Sequence, residues 1–308
     1  MQIKSIKFPV ILLTLFLVID LKSQDLEPRF LSSVPTGGNF AIASYGYSNG
    51  NILLDNTLPI EDLNAKLNSF VLAYARSFKL FNRLAKFDVI APYSFGHFEG
   101  VVSGIDSTAY KSGLGDPLLR LSMVLLGARP MRLGEFMKTP QKKFKLGTTV
   151  RVRIPVGQYD PTKLINLGAN RWAVKLGIAG SYTFIKRLTL EAHLNFWFFT
   201  ENREFFNGNT IKQKPLMSAQ MHLTWVFKPG VWVAVSYGRS AFGETVVNGI
   251  EKDDLQNSSR IGAAFAYKLS KHNAIKIAIT SGLTTRYGAD FTSVLLVYQF
   301  MWFENKQL

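Results

Sequence analysis

Between Trp172 and Thr200 the side chains alternate in twos, and that period limits the fold more than any other feature of the chain. One face carries Trp172, Val174, Leu176, Ile178, Tyr182 and Phe184; the other carries Ala173, Lys175, Gly177, Ala179, Ser181 and Thr183. After a break at Ile185-Lys186-Arg187 the pattern resumes, with Leu188, Leu190, Ala192, Leu194, Phe196 and Phe198 against Thr189, Glu191, His193, Asn195 and Trp197. Successive strand side chains point to opposite faces, so this is a long hairpin with one apolar and one polar face. In a soluble sandwich the apolar face would meet a second sheet. In an outer-membrane barrel it meets lipid while the polar face lines a lumen, and strands of about 9–11 residues cross the bilayer. Both arms are long enough.

Most of the chain repeats the pattern. Strands are expected at 39–47, 66–78, 85–95, 116–126, 145–155, 172–184, 188–200, 216–227, 231–239, 258–269, 274–282 and 291–302. That makes about 12, an even number as single-chain bacterial barrels require. At 145–155, Arg151 and Arg153 share a face with Gly147 and Thr149, an arrangement costly in a packed soluble core and ordinary in a wet lumen. The second strand is apolar on both faces, so its facing stays open. Connections give an independent check: short breaks at Phe81, Lys186, Pro229 and His272 alternate with longer ones beginning near Ser48, Gly96, Val156, Glu201 and Ser240. Two depart from the scheme, since 127–144 is long for a turn and 283–290 short for an outer loop.

The N-terminus reads as a targeting segment. Lys4 and Lys7 precede an apolar run at 8–19, and Ser23 offers a cleavage position before Gln24, so 1–23 is expected to be a secretory signal peptide and 24–308 one barrel domain. The stretch 25–38 reads as a polar lead-in. Export argues against nucleic acid as the partner of a chain with net charge +15, and favours outer-membrane lipid, lipopolysaccharide or an anionic solute. With no Cys there is no disulfide framework and no thiolate chemistry.

The runs Pro155-Val156-Gly157-Gln158-Tyr159-Asp160 and Asn166-Leu167-Gly168-Ala169-Asn170-Arg171-Trp172 resemble the outer-membrane family named for the MetA pathway of phenol degradation, whose members are often called transporters. Gly113-Leu114-Gly115-Asp116, Gly127-Ala128, Asn248-Gly249 and Thr285-Arg286-Tyr287-Gly288 extend the resemblance over most of the mature chain. It departs at Gly127-Ala128-Arg129-Pro130, where Gly-Ala-Pro is expected. The resemblance implies a barrel that passes small solutes, with aromatic ones among the candidates, and carries over no functional residues.

The candidate solute pathway follows from the inward face: Arg120, Arg151, Arg153, Arg171, Lys175, Glu191, His193, His222, Arg260 and Lys276. Basic residues outnumber acidic ones on that face, which would favour anions in a low-dielectric passage. The plainer alternative is that these charges knit the wall of a closed barrel together. His193 and His222 could be cross-strand neighbours, and a metal would need a third ligand such as Glu191 or Gln220; two hydrogen-bonded lumen histidines is the simpler expectation. A lipase of the outer-membrane phospholipase kind would need Ser two residues after a lipid-facing His, but position 195 is Asn and His193 faces inward. Arg171 either meets lipid headgroups beside an interfacial Trp172 or folds inward over the entrance. The expectation is an all-β, transmembrane antiparallel up-and-down barrel acting as a channel for small solutes, aromatic or anionic. No enzymatic activity, cofactor or metal is expected. The rival is a non-conducting barrel that anchors partners through its outer loops.

Overall fold

The computed structural model describes residues 26–53, 60–102 and 104–304, with Ile60 described by its backbone alone. The expected signal peptide lies outside the described residues. In chain order the elements are β1 (Gly38–Leu53), β2 (Ile60–Leu80), β3 (Arg83–Val102), β4 (Ile105–Leu114), β5 (Leu118–Leu126), α1 (Leu133–Lys138), β6 (Phe144–Arg153), β7 (Ala173–Ile185), β8 (Leu188–Phe199) and β9 (Asn202–Phe205). They continue as β10 (Asn209–Gln213), β11 (Leu216–Lys228), β12 (Val231–Phe242), β13 (Thr245–Val247), β14 (Ile250–Glu251), β15 (Gln256–Lys268), β16 (Asn273–Thr284) and β17 (Gly288–Phe303).

Twelve of these strands close into an antiparallel barrel. Each pairs with its sequence neighbour in the wall, and β1 pairs with β17 from Gly38↔Phe303 to Leu53↔Gly288 to seal it. The fourth stave is broken: β5 pairs with the lower part of β3, then β4 follows the upper part of β3 outward as a hairpin. Strands β9, β10, β13 and β14 form a separate small sheet in the loops on one side of the outer mouth. The tightest turn, Phe81-Asn82, takes positive φ at both residues (46° and 58°), the pairing whose twist matches the flanking strands. Short turns and long loops segregate to opposite ends, so Phe81, Lys186, Pro229 and His272 mark the periplasmic rim and 154–172, 200–215 and 243–255 the outer one. The long connection after β5 lies on the periplasmic side and contains α1, with Phe136 and Met131 buried.

The outer surface is apolar: Leu72, Leu176, Ile178, Leu194, Phe196, Leu223, Val235, Phe265, Ile277 and Leu296 are all exposed. With a polar lumen on the other side, this belt fits a bilayer, and the barrel resides in the bacterial outer membrane. β2 turns Phe70, Leu72 and Tyr74 outward and Val71, Ala73 and Ala75 inward. Its inner face is apolar because the lumen wall there joins a dry cluster with Phe40, Ile42, Trp232, Ala266, Val297 and Met301.

Candidate functional site: a filled lumen and an outer cavity

The stretch 26–37 runs inside the barrel, which the description of a polar lead-in did not anticipate. Its Leu26, Phe30, Leu31 and Val34 are buried. Two wall glycines make room for it: a Cβ on Gly147 would lie 2.5 Å from Leu31 Cδ2, and one on Gly262 would lie 2.9 Å from Leu26 Cδ1. The charged side chains on the β3 to β11 side of the wall grip the segment. Glu27 accepts from Arg120 Nη1 at 2.8 Å and from Arg151 Nη2, and Arg120 Nε also donates to Asp88 at 2.5 Å. Glu191 accepts from the amides of Phe30 (2.8 Å) and Leu31 (3.0 Å), and Lys86 Nζ donates to the Phe30 carbonyl at 2.9 Å. Arg29 lies 5.2 Å over the Trp232 ring. Buried ions need partners because desolvation costs several kcal/mol per charge. Here segment and wall supply them to each other, and only about 10 Å³ of free space is left around Glu27, Phe30, Arg151, Lys175, His193 and Gln220.

The ten predicted pathway residues therefore divide into groups. Arg120, Arg151, Lys175, Glu191, His193 and His222 surround the N-terminal segment, all buried. His193 and His222 are diagonal neighbours, opposite Gln220 and Glu191 respectively, with ring centroids 4.9 Å apart. His193 Nε2 lies 2.9 Å from Glu191 Oε1, while His222 contacts Ser236 Oγ at 2.8 Å and Gln220 Oε1 at 3.2 Å. No group of three or more His, Cys, Asp or Glu suited to a metal occurs among the described residues. Arg260 is part-buried, level with Gly238 and Gly282, and Lys276 is fully buried between Ala266 and Val297; both stand across the barrel on β15 and β16.

Arg153 and Arg171 belong elsewhere. They line a cavity of about 250 Å³ at the outer mouth, together with Tyr159, Leu164, Trp197, Phe199, Phe205, Ile211, Gln213 and Leu216. Arg171 takes the inward of its two expected courses. Its guanidinium sits 4.8 Å over the Phe199 ring, and Nη2 donates to Gln213 Oε1 at 2.5 Å, while Trp172 stays exposed at the rim. Arg153 lies 5.5 Å over Trp197, whose ring stacks on Phe199 at 6.3 Å and 7°. Burial pulls the Arg171 pKa down to about 10 and the nearby Arg153 charge adds to the effect, so the side chain remains cationic at neutral pH.

The loop over this cavity is pinned by Asp116. Its Oδ1 accepts from Gly157 N at 2.9 Å and its Oδ2 from Ala169 N at 2.8 Å. Three separated motifs, 113–116, 155–160 and 166–172, thus meet at one carboxylate. Asn166 closes the loop on itself, accepting from Asp160 N and donating to the Asp160 and Lys163 carbonyls. Gly168 packs so close that a Cβ would fall 2.7 Å from the Gly157 carbonyl. Asp160 outside the cavity is held below the usual carboxylate range by hydrogen bonds from the Thr162 side chain and amide. Sequence reasoning missed Glu27, Phe30, Tyr159 and Gln213 altogether; the apolar Phe30, Leu31 and Val34 just before the first strand were the available signal for the lumen segment.

The sequence matches the family described as "Putative MetA-pathway of phenol degradation" over residues 41–295. No curated protein matches it. Among solved structures, it is similar to an outer membrane channel from Pseudomonas putida F1, at 20% identity and a TM-score of 0.74 over 90% of this chain and 100% of that one. The beta domain of the Bordetella autotransporter BrkA is 12% identical, with a TM-score of 0.50 over 87% of this chain and 100% of that one.

Proposed function

For a chain that belongs to the MetA-pathway family of phenol degradation, we propose a gated outer-membrane channel for small solutes, in which the segment 26–37 closes the lumen and its displacement opens it. One observation carries the reading: beside the apolar cluster of wall side chains, the rest of the lumen is occupied by a separate segment of the chain held to the wall through polar contacts. A barrel of 12 strands is wider than the 8-stranded kind whose interior side chains fill. Removing the segment would leave a passage lined by Arg120, Arg151, Lys175 and Lys86, which would attract anions. The similar Pseudomonas structure, itself a channel, is consistent with this use of the fold. The expected signal peptide at 1–23 fits delivery to the periplasm.

The test is swelling of liposomes carrying the full chain, with benzoate, phenol and a small sugar as solutes, for the wild type and Glu27→Ala. Slow wild-type swelling that accelerates in the variant, most for benzoate, is the expected result. Absence of swelling in both would move the account to the rival reading, a non-conducting barrel that holds partners through its outer loops.

A further inference from the structure

We infer that the outer cavity is a binding site for a small carboxylate carrying an apolar body of about one ring, captured there before the lumen opens. This deepens the channel reading and rests on it for the ligand's onward route, though not for binding itself.

Three observations converge on the site. The first is charge: Arg153 and Arg171 face one cavity, and no described carboxylate forms an ion pair with either. Two guanidiniums placed together repel, and an anion between them removes the repulsion. The second is geometry. Each guanidinium lies over a ring of the Trp197–Phe199 stack, which fixes its plane and leaves its edge to bind. Nη1 of Arg171 is enclosed and makes no hydrogen bond, so it is a donor still to be satisfied, while Nη2 is held by Gln213. A planar fork of this kind matches a carboxylate with two parallel bonds. The third is shape and polarity. The rest of the lining includes Leu164, Phe205, Ile211 and Leu216, and a volume of about 250 Å³ lies below the roughly 300–1,000 Å³ of pockets for drug-sized ligands. A bare inorganic anion leaves that apolar wall unused, and a neutral ring leaves the arginines unpaired.

The loop above the cavity supports the same assignment. Asp116 spends both carboxylate oxygens on the amides of Gly157 and Ala169, so this nearby acid is turned away from the arginines and holds the roof in place instead. Tyr159 is fixed at the rim by accepting from Asn202 Nδ2 (2.9 Å) and donating to the Glu204 carbonyl (3.0 Å). The cavity is therefore formed before any ligand arrives, which lowers the ordering cost of binding.

The experiment is calorimetric titration of the detergent-purified full chain with benzoate, toluene, acetate and inorganic phosphate. Benzoate should bind at least tenfold more tightly than the other three. Arg153→Gln with Arg171→Gln should weaken benzoate at least tenfold and leave toluene unchanged. Arg171→Lys, which keeps the charge and loses the fork, should fall between. The heat-modifiable folded band on a gel confirms that each variant forms the barrel. Phosphate binding as tightly as benzoate, toluene matching benzoate, or folded variants that retain wild-type affinity would each overturn the inference. Conductance of Glu27→Ala in the same preparations separates the two claims. Binding without conductance defeats the channel reading alone, and conductance without benzoate binding defeats this one alone.

Discussion

Arg151 and Arg153 stand two residues apart on one face of β6, yet they lie in opposite surroundings. Arg151 is fully buried and bound to Glu27 beside a lumen cavity of about 10 Å³. Arg153 stacks on Trp197 in a cavity of about 250 Å³ and pairs with no described carboxylate. The same residue type on the same strand binds the lumen segment in one place and lines an outer cavity in the other. What separates them is depth: Glu27 reaches Arg151, whereas Arg153 stands one step further out, over Trp197. Net charge along the wall is therefore a poor guide to what the wall does, because the segment's own acid and main chain cancel it locally.

The largest effect that can break this comparison is expected from Arg151→Ala. Removing one partner of a buried ion pair costs about 3–5 kcal/mol, here charged to the docking of the segment, so chemical denaturation should shift and open-channel events should become frequent. A variant as closed as wild type would show that Glu27 does not depend on Arg151. The comparison also assumes the register that turns both arginines inward. Leu194→Arg, on the lipid face near mid-strand, should cost about 2–4 kcal/mol, whereas Phe227→Arg beside the periplasmic turn should cost about 0–1 kcal/mol. Equal costs in a folding titration into lipid vesicles would place the belt wrongly. Asp116→Asn sharpens the outer half: it removes one and neutralises the other of two charge-assisted bonds of a kind worth about 1.5–3 kcal/mol. Hydrogen exchange should rise at Gly157 and Ala169 without a change in conductance. Smallest is Arg153→Ala, predicted to move stability by less than about 1 kcal/mol, because the side chain gives up a cation–π contact and no ion pair. Its conductance should stay that of the closed wild type.

How far this was legible in sequence depended on whether the environment had two clear sides. Where lipid lay outside and polar lumen inside, as at Leu194 and His193, the period of two gave strand, facing and partner. On β2 the inner side is also apolar, with Val71, Ala73 and Ala75 in the dry cluster, and facing could not be read from polarity. The lumen segment has no period at all. Its contacts run through Glu27 and the amides of Phe30 and Leu31 to residues more than ninety positions away, and local pattern carries no trace of them. The outer cavity lay between these cases. Arg171 was recognised as a residue with two possible courses, and Gln213 and Phe199, which decide between them, come from loops and strands that only the closed barrel brings together.

The central claim is that the segment must leave the lumen for the barrel to conduct. Leu31 of the segment and Ala179 of the wall share one apolar cluster with Phe30, and the chain has no native Cys, so Leu31→Cys with Ala179→Cys introduces one thiol pair to tie the segment to β7. Single-channel recordings of this variant should show silence with the disulfide formed, and openings at or above the wild-type frequency once a reductant is added. Equal conductance in the two states, with the bond confirmed by mass, would contradict the account.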